Sequence, residues 1–285
     1  NEKAEYHKAV LPEHRGNPLI EALPIKVNDE LVIEKLGFYP SYEADVRGLD
    51  ALDRADYLTR LKRLRQPLPI YLECFRAIEL AIKDGYSSKN PFSPTTMNYL
   101  YYRVNEKTEV EPKTGYFQPR GCGMTLIGES GVGKTSMLEQ ILWCYPDVIE
   151  HKCYQDRSLP IKQFIWIKVD CPDDSSVKAI CYKILTELDI KLGNQTTKPQ
   201  ATIPQLLSQI EALIKSSFLG ILVIDEMQNL NLAKAGGADR LLAFLHNLVN
   251  NLGIPLLFCA NPPFNELLAK SLKDARRAES SGYFA

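Results

Sequence analysis

The sequence predicts an α/β fold in which a parallel sheet, covered by helices on both faces, follows a mainly helical or irregular N-terminal extension. Two observations predict this class. In the second half of the chain, four near-continuous apolar runs of strand length alternate with segments of helical periodicity, which is the pattern of a buried parallel sheet. A glycine-rich segment, residues 128–135, lies directly between the first of these strands and the helix that follows it. With 45% hydrophobic residues among 285, the chain can build a core of this kind.

The predicted strands and helices of this second half follow one another in regular alternation. The strands are MTLIG (124–128), FIWIKVD (164–170), GILVIDE (220–226) and IPLLFCAN (254–261). The helices are 133–144, 176–190, 203–216 and 238–251. We therefore place the α/β unit at residues 116–285 and the N-terminal extension at residues 1–115.

The extension has a different pattern. Residues 1–50 are rich in proline and glycine, which predicts an extended arm or an irregular packing segment. A helix is predicted over 52–65, with a leucine stripe surrounded by basic residues, and a second helix over 70–84, ended by Gly85. A polar stretch around 105–115 is typical of a loop or linker. The two helices fit either a small DNA- or partner-binding domain or a solvated helical hairpin.

The charge balance excludes one class of protein. Lys plus Arg total 34 and Asp plus Glu total 35, for a net charge of −1, which rules out a strongly basic monomer that coats nucleic acid. No apolar run approaches the roughly 18 residues of a membrane span. The first residues have no signal-peptide pattern and no initiator methionine, so we expect upstream residues to have been removed. Seven cysteines without a C-x-x-C pair favour reduced thiols in a cytoplasm over a zinc cluster or disulfides.

Residues 128–135 have the pattern G-x-x-x-x-G-K-T, directly after a strand and before a helix. Glycines let backbone N–H groups turn inward around phosphates, and the start of the helix adds partial positive charge. Lys134 is expected to reach the β and γ phosphates of ATP, and the Thr135 hydroxyl to ligate Mg²⁺. The residues expected to hold the nucleotide are Gly128, Glu129, Ser130, Gly131, Val132, Gly133, Lys134, Thr135, Ser136 and Asp225.

An acidic pair follows the third strand, where open α/β sheets bind their ligands. Asp225 is expected to hold Mg²⁺ through water. Glu226 is placed to polarise the attacking water, which predicts hydrolysis rather than binding alone. The alternative for Glu226 is an ordinary surface acid after a strand.

Further candidates follow the fourth strand. Asn261 comes directly after it and could hydrogen-bond both the γ-phosphate and the water, or could simply cap the next helix. Arg276 and Arg277 end a predicted helical run, so one of them could reach the nucleotide of a neighbouring subunit. The alternative is a cationic helix end that complements the helix dipole. The pair 239–240, Asp-Arg, is a weaker candidate for the same role.

With these elements in order, residues 121–285 resemble an AAA+ ATPase core. Several local strings resemble, more narrowly, the TnsC family, the AAA+ regulators of heteromeric bacterial transposons, including CRISPR-associated ones. These strings are NPLIEALP (17–24), GESGVGKTS (128–136), KVDCPDDSSVKAIC (168–181), LGILVIDEMQNL (219–230) and LKDARRAESSGYF (272–284). The resemblance is loose over 30–115.

The TnsC resemblance implies a bacterial cytoplasmic protein that binds ATP and Mg²⁺ and assembles as a ring or filament around double-stranded DNA. It implies links to a target selector of the TniQ or TnsD type and to transposase subunits of the TnsA and TnsB type. The family's nucleotide site falls on the loop from Gly128 to Thr135, on Asp225 and Glu226, on Asn261 and on the Arg276–Arg277 pair. No membrane role is implied.

Pore loops contact DNA in such rings. The turn from Asp173 offers Ser176 and Lys178, and Lys152 is another candidate, all as backbone contacts of low sequence specificity. The alternative is that these are solvated surface residues. A ring repeats each contact once per subunit, so a balanced charge is compatible with DNA binding.

One departure from the AAA+ pattern concerns the C-terminus. The chain ends shortly after Arg277, so we expect the helical lid to be absent or cut away, which puts autonomous hydrolysis in doubt. The alternative function is a different AAA+ or STAND-like ATPase, such as a helicase loader, a remodeller or a signalling ATPase that acts on a protein client.

Overall fold

A computed structural model describes residues 1–101, 117–172, 176–194, 201–230, 238–262 and 283–284. The helices before the main sheet are α1 (Pro18–Glu21), α2 (Asp29–Leu36), α3 (Ala51–Leu58), α4 (Pro69–Ser87) and α5 (Pro94–Tyr101). Those that alternate with its strands are α6 (Lys134–Trp143), α7 (Val177–Leu192), α8 (Ile203–Ser216) and α9 (Ala238–Asn250). Short 3-10 turns cover Pro12–His14, Ala44–Gly48, Thr59–Arg63 and Met227–Asn229.

The central sheet is parallel. It contains β2 (Gly123–Ile127), β7 (Trp166–Asp170), β8 (Ile221–Asp225), β9 (Leu256–Ala260) and β10 (Tyr283–Phe284), in the order β10-β2-β9-β8-β7. The strand that precedes the glycine-rich loop, β2, is therefore separated from the acidic strand β8 by β9. This order brings the ends of β2, β9 and β8 side by side at one edge, where ligands bind in open α/β sheets.

The described residues also form two smaller sheets. One contains β1 (Glu2–Lys3), β3 (Val148–Glu150) and β6 (Lys162–Phe164), in the order β1-β3-β6. The other is a hairpin of β4 (Cys153–Tyr154) and β5 (Arg157–Ser158). Within the described residues, no helix combines the length and the apolar character needed to cross a membrane.

The central sheet is buried on both faces, and alternate residues of each strand face opposite sides. On β8, Leu222 and Ile224 pack with α7, α8 and α9, whereas Ile221 and Val223 pack with α4 and α6. A fully buried leucine or isoleucine contributes about 1.5–3 kcal/mol relative to an exposed one. The predicted parallel sheet with helices on both faces is confirmed.

Helix α4 packs against one face of this sheet. Its residues Phe75, Ile78 and Ile82 belong to the same apolar cluster as the sheet residues of that face. The Tyr86 hydroxyl lies 3.0 Å from the Phe164 carbonyl and 2.9 Å from the Phe218 carbonyl, within donating distance of both.

Helix α4 does not end at Gly85 as predicted but continues to Ser87. Here glycine serves a close approach, since a Cβ at this position would lie 2.9 Å from the Pro255 Cδ atom. Gly85 therefore lies within the helix because the Pro255 ring occupies the space that a Cβ would need.

Other predicted elements differ in detail. The 52–65 helix is α3 followed by the Thr59–Arg63 turn, and its leucine stripe is exposed. Residues 1–50 are mostly irregular, as predicted, but they include the short helices α1 and α2, and α1 is buried along its length. The 164–170 run is broken at Ile165, because Phe164 pairs with β3 while β7 pairs with β8.

Candidate nucleotide-binding site

The glycine-rich loop turns sharply between β2 and α6. Gly131 and Gly133 have φ angles of 82° and 91°, a region that residues with a Cβ rarely adopt. A Cβ on Gly128 would lie 3.2 Å from the Val132 Cγ2 atom, so this position also favours glycine. Gly133 caps α6 without a side-chain acceptor, which leaves the first N–H groups of the helix available for an anion.

Lys134 lies at the centre of the site. Its Nζ atom donates to the Gly128 carbonyl at 2.7 Å, to the Glu129 carbonyl at 2.8 Å and to the Asn261 Oδ1 atom at 3.1 Å. The structure thus brings together the loop lysine and Asn261, which are 127 positions apart in the sequence. The contact follows from the strand order, since β9 is the neighbour of β2.

Thr135, at the start of α6, and Asp225, at the end of β8, are in direct contact. The Thr135 hydroxyl donates to the Asp225 Oδ2 atom at 2.8 Å, and the Glu226 N–H donates to the Oδ1 atom at 2.9 Å. Asp225 is only 1% exposed. Hydroxyl and carboxylate oxygens are the ligands that Mg²⁺ prefers, so this pair fits the metal expected from the sequence.

Glu226 is partly buried and adopts a left-handed backbone conformation, with φ of 54°. For a residue with a Cβ, this conformation costs of order 1 kcal/mol or more. Gln228 donates from Nε2 to the Glu226 Oε2 atom and accepts from the Asn261 N–H at 3.2 Å. Sequence reasoning missed Gln228, since nothing in its position two residues after Glu226 indicates that it bridges two strand ends.

Lys168 is a second residue that sequence reasoning missed. Its Nζ atom lies 3.5 Å from the Asp225 Oδ2 atom and 3.7 Å from the Glu139 Oε1 atom, and it donates to Asp170. Burial lowers the pKa of Lys168, but the hydrogen bond to Asp170 and the three carboxylate charges outweigh burial and raise it above its usual value. A lysine inside an otherwise apolar strand, two positions before an aspartate, was the available signal.

Cys259 also lies beside the site. Burial raises the pKa of its thiol, and the charge of Asp225 raises it further. The thiol therefore stays protonated near neutral pH and acts as a packing group rather than as a nucleophile.

The remaining loop candidates are placed around this centre. Glu129, Ser130 and Val132 are exposed, and Ser136 is half-buried on the first turn of α6. Arg276 and Arg277 lie outside the described residues, so their predicted role in a neighbouring subunit stays a prediction.

The candidate DNA contacts are Lys152 and, on a separate segment, Ser176 and Lys178. Lys152 is exposed in the segment between β3 and β4. The Ser176 hydroxyl caps α7 by accepting from the Ala179 N–H at 3.3 Å, which gives this serine a structural role. The Lys178 Nζ atom lies 5.7 Å from the centre of the Tyr182 ring. Residues 173–175 of the turn lie outside the described residues, and DNA contact by Lys152, Ser176 and Lys178 stays a prediction.

Residues 118–268, more than half of the chain, match the family described as AAA domain, and the chain belongs to this family. The class defined by fold and site is therefore an AAA-type ATPase domain, a class that binds ATP and typically Mg²⁺. A search of the curated proteins gives no match.

Among solved structures, the chain is similar to Cdc6p from Pyrobaculum aerophilum, with 14% identity and a TM-score of 0.45 over 76% of this chain and 45% of that one. It is similar to the Aeropyrum pernix Orc1 protein in complex with DNA, with 17% identity and a TM-score of 0.39 over 57% and 38%. It is also similar to Drosophila ORC bound to GC-rich DNA and Cdc6, with 14% identity and a TM-score of 0.35 over 87% and 62%. The chain spans less than two thirds of the length of each of these chains.

Proposed function

We propose that this chain is a TnsC-like, ATP-dependent regulator of DNA transposition. In this proposal it binds ATP and Mg²⁺, assembles as a ring or filament on double-stranded DNA, and links a target selector to transposase subunits. The observation that carries the ATP-dependent part is the meeting of Lys134, Thr135, Asp225 and Asn261 at the ends of three neighbouring strands. The five local sequence strings that resemble TnsC support the transposition part.

Each residue has a distinct task in the proposed site. The glycine turn and the start of α6 bind the phosphates, and Lys134 neutralises their charge. Thr135 and Asp225 hold Mg²⁺, which when bound offsets the charge that develops on the phosphates. Glu226 accepts a proton from the attacking water, and Gln228 holds its carboxylate in place.

Asn261 is the proposed sensor of the nucleotide state. Its side chain contacts Lys134 and its N–H contacts Gln228, which in turn contacts Glu226. A change at the γ-phosphate that moves Lys134 would therefore reach Asn261 and Glu226 together. We keep the division into an extension, 1–115, and an ATPase core, 116–285, as part of the proposal, with Arg276 or Arg277 completing the site of a neighbouring subunit.

Assembly tests this proposal. Sedimentation and electron microscopy of the protein with a non-hydrolysable ATP analogue, Mg²⁺ and duplex DNA should show rings or filaments on the DNA. Lys134→Ala should abolish them, because the γ-phosphate loses its counter-charge. The matched control is Lys183→Ala, the same substitution at an exposed lysine of α7 outside both the nucleotide site and the candidate DNA contacts, which should still form the assemblies.

The alternative, an ATPase that works on a protein client, predicts a different result. The protein would then bind the analogue without forming assemblies on duplex DNA, and its turnover would rise only with a client. DNA binding in the proposed form should be nearly independent of sequence and should weaken as salt rises. A protein that stays monomeric with analogue and DNA would contradict the transposition regulator.

A further inference from the structure

The positively charged side chain of Lys168 lies beside Asp225 at the end of β8. The function proposed above gives this lysine no role. Lys168 and Asp170 lie on β7, where they are in register with Val223 and Asp225 of the parallel strand β8. Because alternate residues of a strand share a face, Lys168, Asp170 and Asp225 lie on the same side of the sheet. This is the side covered by α6, which contributes Glu139 to the cluster.

The Lys168 ammonium is shared unequally among three carboxylates. Its Nζ atom lies 2.5 Å from the Asp170 Oδ1 atom, 3.5 Å from the Asp225 Oδ2 atom and 3.7 Å from the Glu139 Oε1 atom. The Lys168 side chain is 10% exposed, whereas that of Asp170 is 59% exposed. Lys168 is therefore fixed between a buried carboxylate and an exposed one.

Asp225 needs a positive charge nearby. Its side chain is 1% exposed, and a carboxylate removed from water is costly unless it is paired and hydrogen-bonded. Among the described residues, it accepts hydrogen bonds from the Thr135 hydroxyl and the Glu226 N–H, and the Cys259 thiol is also hydrogen-bonded to it; all three donors are uncharged. In the part of the chain that the structure describes, Lys168 is the one side-chain cation within 4.0 Å of Asp225.

We propose that Lys168 is a positioning residue that holds the Asp225 carboxylate by its Oδ2 atom and, as its counter-ion, sets how strongly the site takes up Mg²⁺. This inference rests on the ATP and Mg²⁺ site proposed above. The same Oδ2 atom accepts from Thr135, so Lys168 and the expected metal ligands act on one oxygen. Lys168 balances the carboxylate in the metal-free site and competes with Mg²⁺ for its charge.

The first test is Lys168→Met, which removes the charge and keeps an apolar stem of similar length. The three carboxylates then face the site without a counter-ion, so the Mg²⁺ concentration for half-saturation should fall roughly tenfold, because Mg²⁺ no longer competes with the ammonium for the charge of Asp225. The measurement is a Mg²⁺ titration of protein with a fluorescent, non-hydrolysable ATP analogue. Lys168→Arg keeps the charge and should stay within about twofold of the wild type.

A matched control is Lys191→Met. Lys191 is 9% exposed and its Nζ atom lies 2.9 Å from the Asp147 Oδ2 atom, so it is a comparably buried and paired lysine elsewhere in the core. It should leave the Mg²⁺ titration unchanged. An unchanged or raised half-saturation in Lys168→Met would overturn the proposal.

Asp170→Asn provides a second variant that keeps Lys168 and changes an exposed residue. It removes the carboxylate closest to the Lys168 ammonium, which then interacts only with Asp225 and Glu139 among these three. Lys168 then competes more strongly with Mg²⁺ for Asp225, so the Mg²⁺ concentration for half-saturation should rise several-fold. Asp170→Asn should raise the Mg²⁺ half-saturation less when Lys168→Met is also present. An equal rise with and without Lys168→Met would contradict the claim that Asp170 acts through Lys168. If the wild type bound no ATP analogue at all, the proposed function would fail; if it bound the analogue with Mg²⁺ and both variants matched it, only this inference would fail.

Discussion

The acidic strand β8 and the segment of residues 38–65 use apolar side chains in opposite ways. All five residues of β8 are buried, and its side chains supply both apolar clusters of the sheet. In the 38–65 segment no residue is buried. Even its apolar residues Leu52, Leu58 and Leu61 are exposed.

The two regions are also held in place by different forces. The 38–65 segment is closed by backbone hydrogen bonds between Phe38 and Arg65, at 2.9 and 2.8 Å, and by Arg60 donating to Ser41 at 2.7 Å. Burial of apolar area stabilises the first region, whereas local polar contacts stabilise the second. The difference teaches that an apolar stripe marks a core only where another element packs against it.

The largest expected effect on stability lies in the sheet. Leu222→Ala in β8 should lower the free energy of unfolding by about 3 kcal/mol, because it removes fully buried methyl groups and leaves a cavity between the sheet and α7 to α9. Urea unfolding followed by circular dichroism measures it. If Leu222→Ala lowers the free energy of unfolding by less than about 1 kcal/mol, burial does not distinguish β8 from the exposed 38–65 segment.

A substitution of Glu226, directly after β8, tests whether this carboxylate is the base in ATP hydrolysis. Glu226→Gln keeps the shape and a hydrogen-bond acceptor for Gln228 but removes the base, so ATP turnover should fall about a hundredfold or more while ATP binding is retained. Steady-state phosphate release and equilibrium binding of the ATP analogue measure the two effects separately. Unchanged turnover would assign the base to another group.

Lys89 tests the contact between the segment that follows α4 and the segment that precedes β9. It is fully buried, its Nζ atom donates to the Gly253 carbonyl at 2.6 Å, and burial lowers its pKa to about 7. The unfolded chain, where a lysine titrates near 10.4, then binds more protons above pH 7 than the folded chain does. The contribution of Lys89 to stability should therefore increase as the pH rises from about 7.

The comparison for Lys89 is with Lys89→Met. Between pH 7 and pH 8.5, the unfolding free energy of the wild type should rise by about 1–2 kcal/mol relative to this variant, at about 1.4 kcal/mol per pH unit for one proton. Urea unfolding at both pH values gives the difference. Parallel pH profiles for the two proteins would show that the folded protein does not perturb Lys89.

The smallest expected effect belongs to the exposed segment. Leu61 is 57% exposed, so Leu61→Ala should change the unfolding free energy by less than about 0.5 kcal/mol. It is the matched partner of Leu222→Ala, since both replace leucine with alanine. A loss comparable to that of Leu222→Ala would mean that Leu61 packs in solution against something that covers it.

The sequence predicted the α/β region well because its periodicity reflects burial. Predicted helices 203–216 and 238–251 agree with α8 and α9 within one residue at each end. The glycine-rich loop was recognisable because its residue types are tied to local backbone conformation, as at Gly131 and Gly133.

Other features could not be predicted from local pattern. The contacts of Lys168 and Gln228 depend on strand order and register, which place residues from distant segments side by side. The sequence predicts a helix end at Gly85, because the Pro255 ring that requires a glycine there lies 170 positions away in the chain. The leucines of α3 and of the turn after it have helical spacing but are exposed, because no other described element covers them. Sequence periodicity alone does not show whether such a partner exists.

Equilibrium binding of a fluorescent ATP analogue with Mg²⁺ tests most directly the claim that the ends of β2, β8 and β9 form one ATP site. Lys134→Ala should weaken binding about a hundredfold, since it removes the cation that contacts both the loop and Asn261. Asn261→Ala should weaken binding less, because Lys134 keeps its loop contacts. Equal affinity in the wild type and in Lys134→Ala would contradict the account.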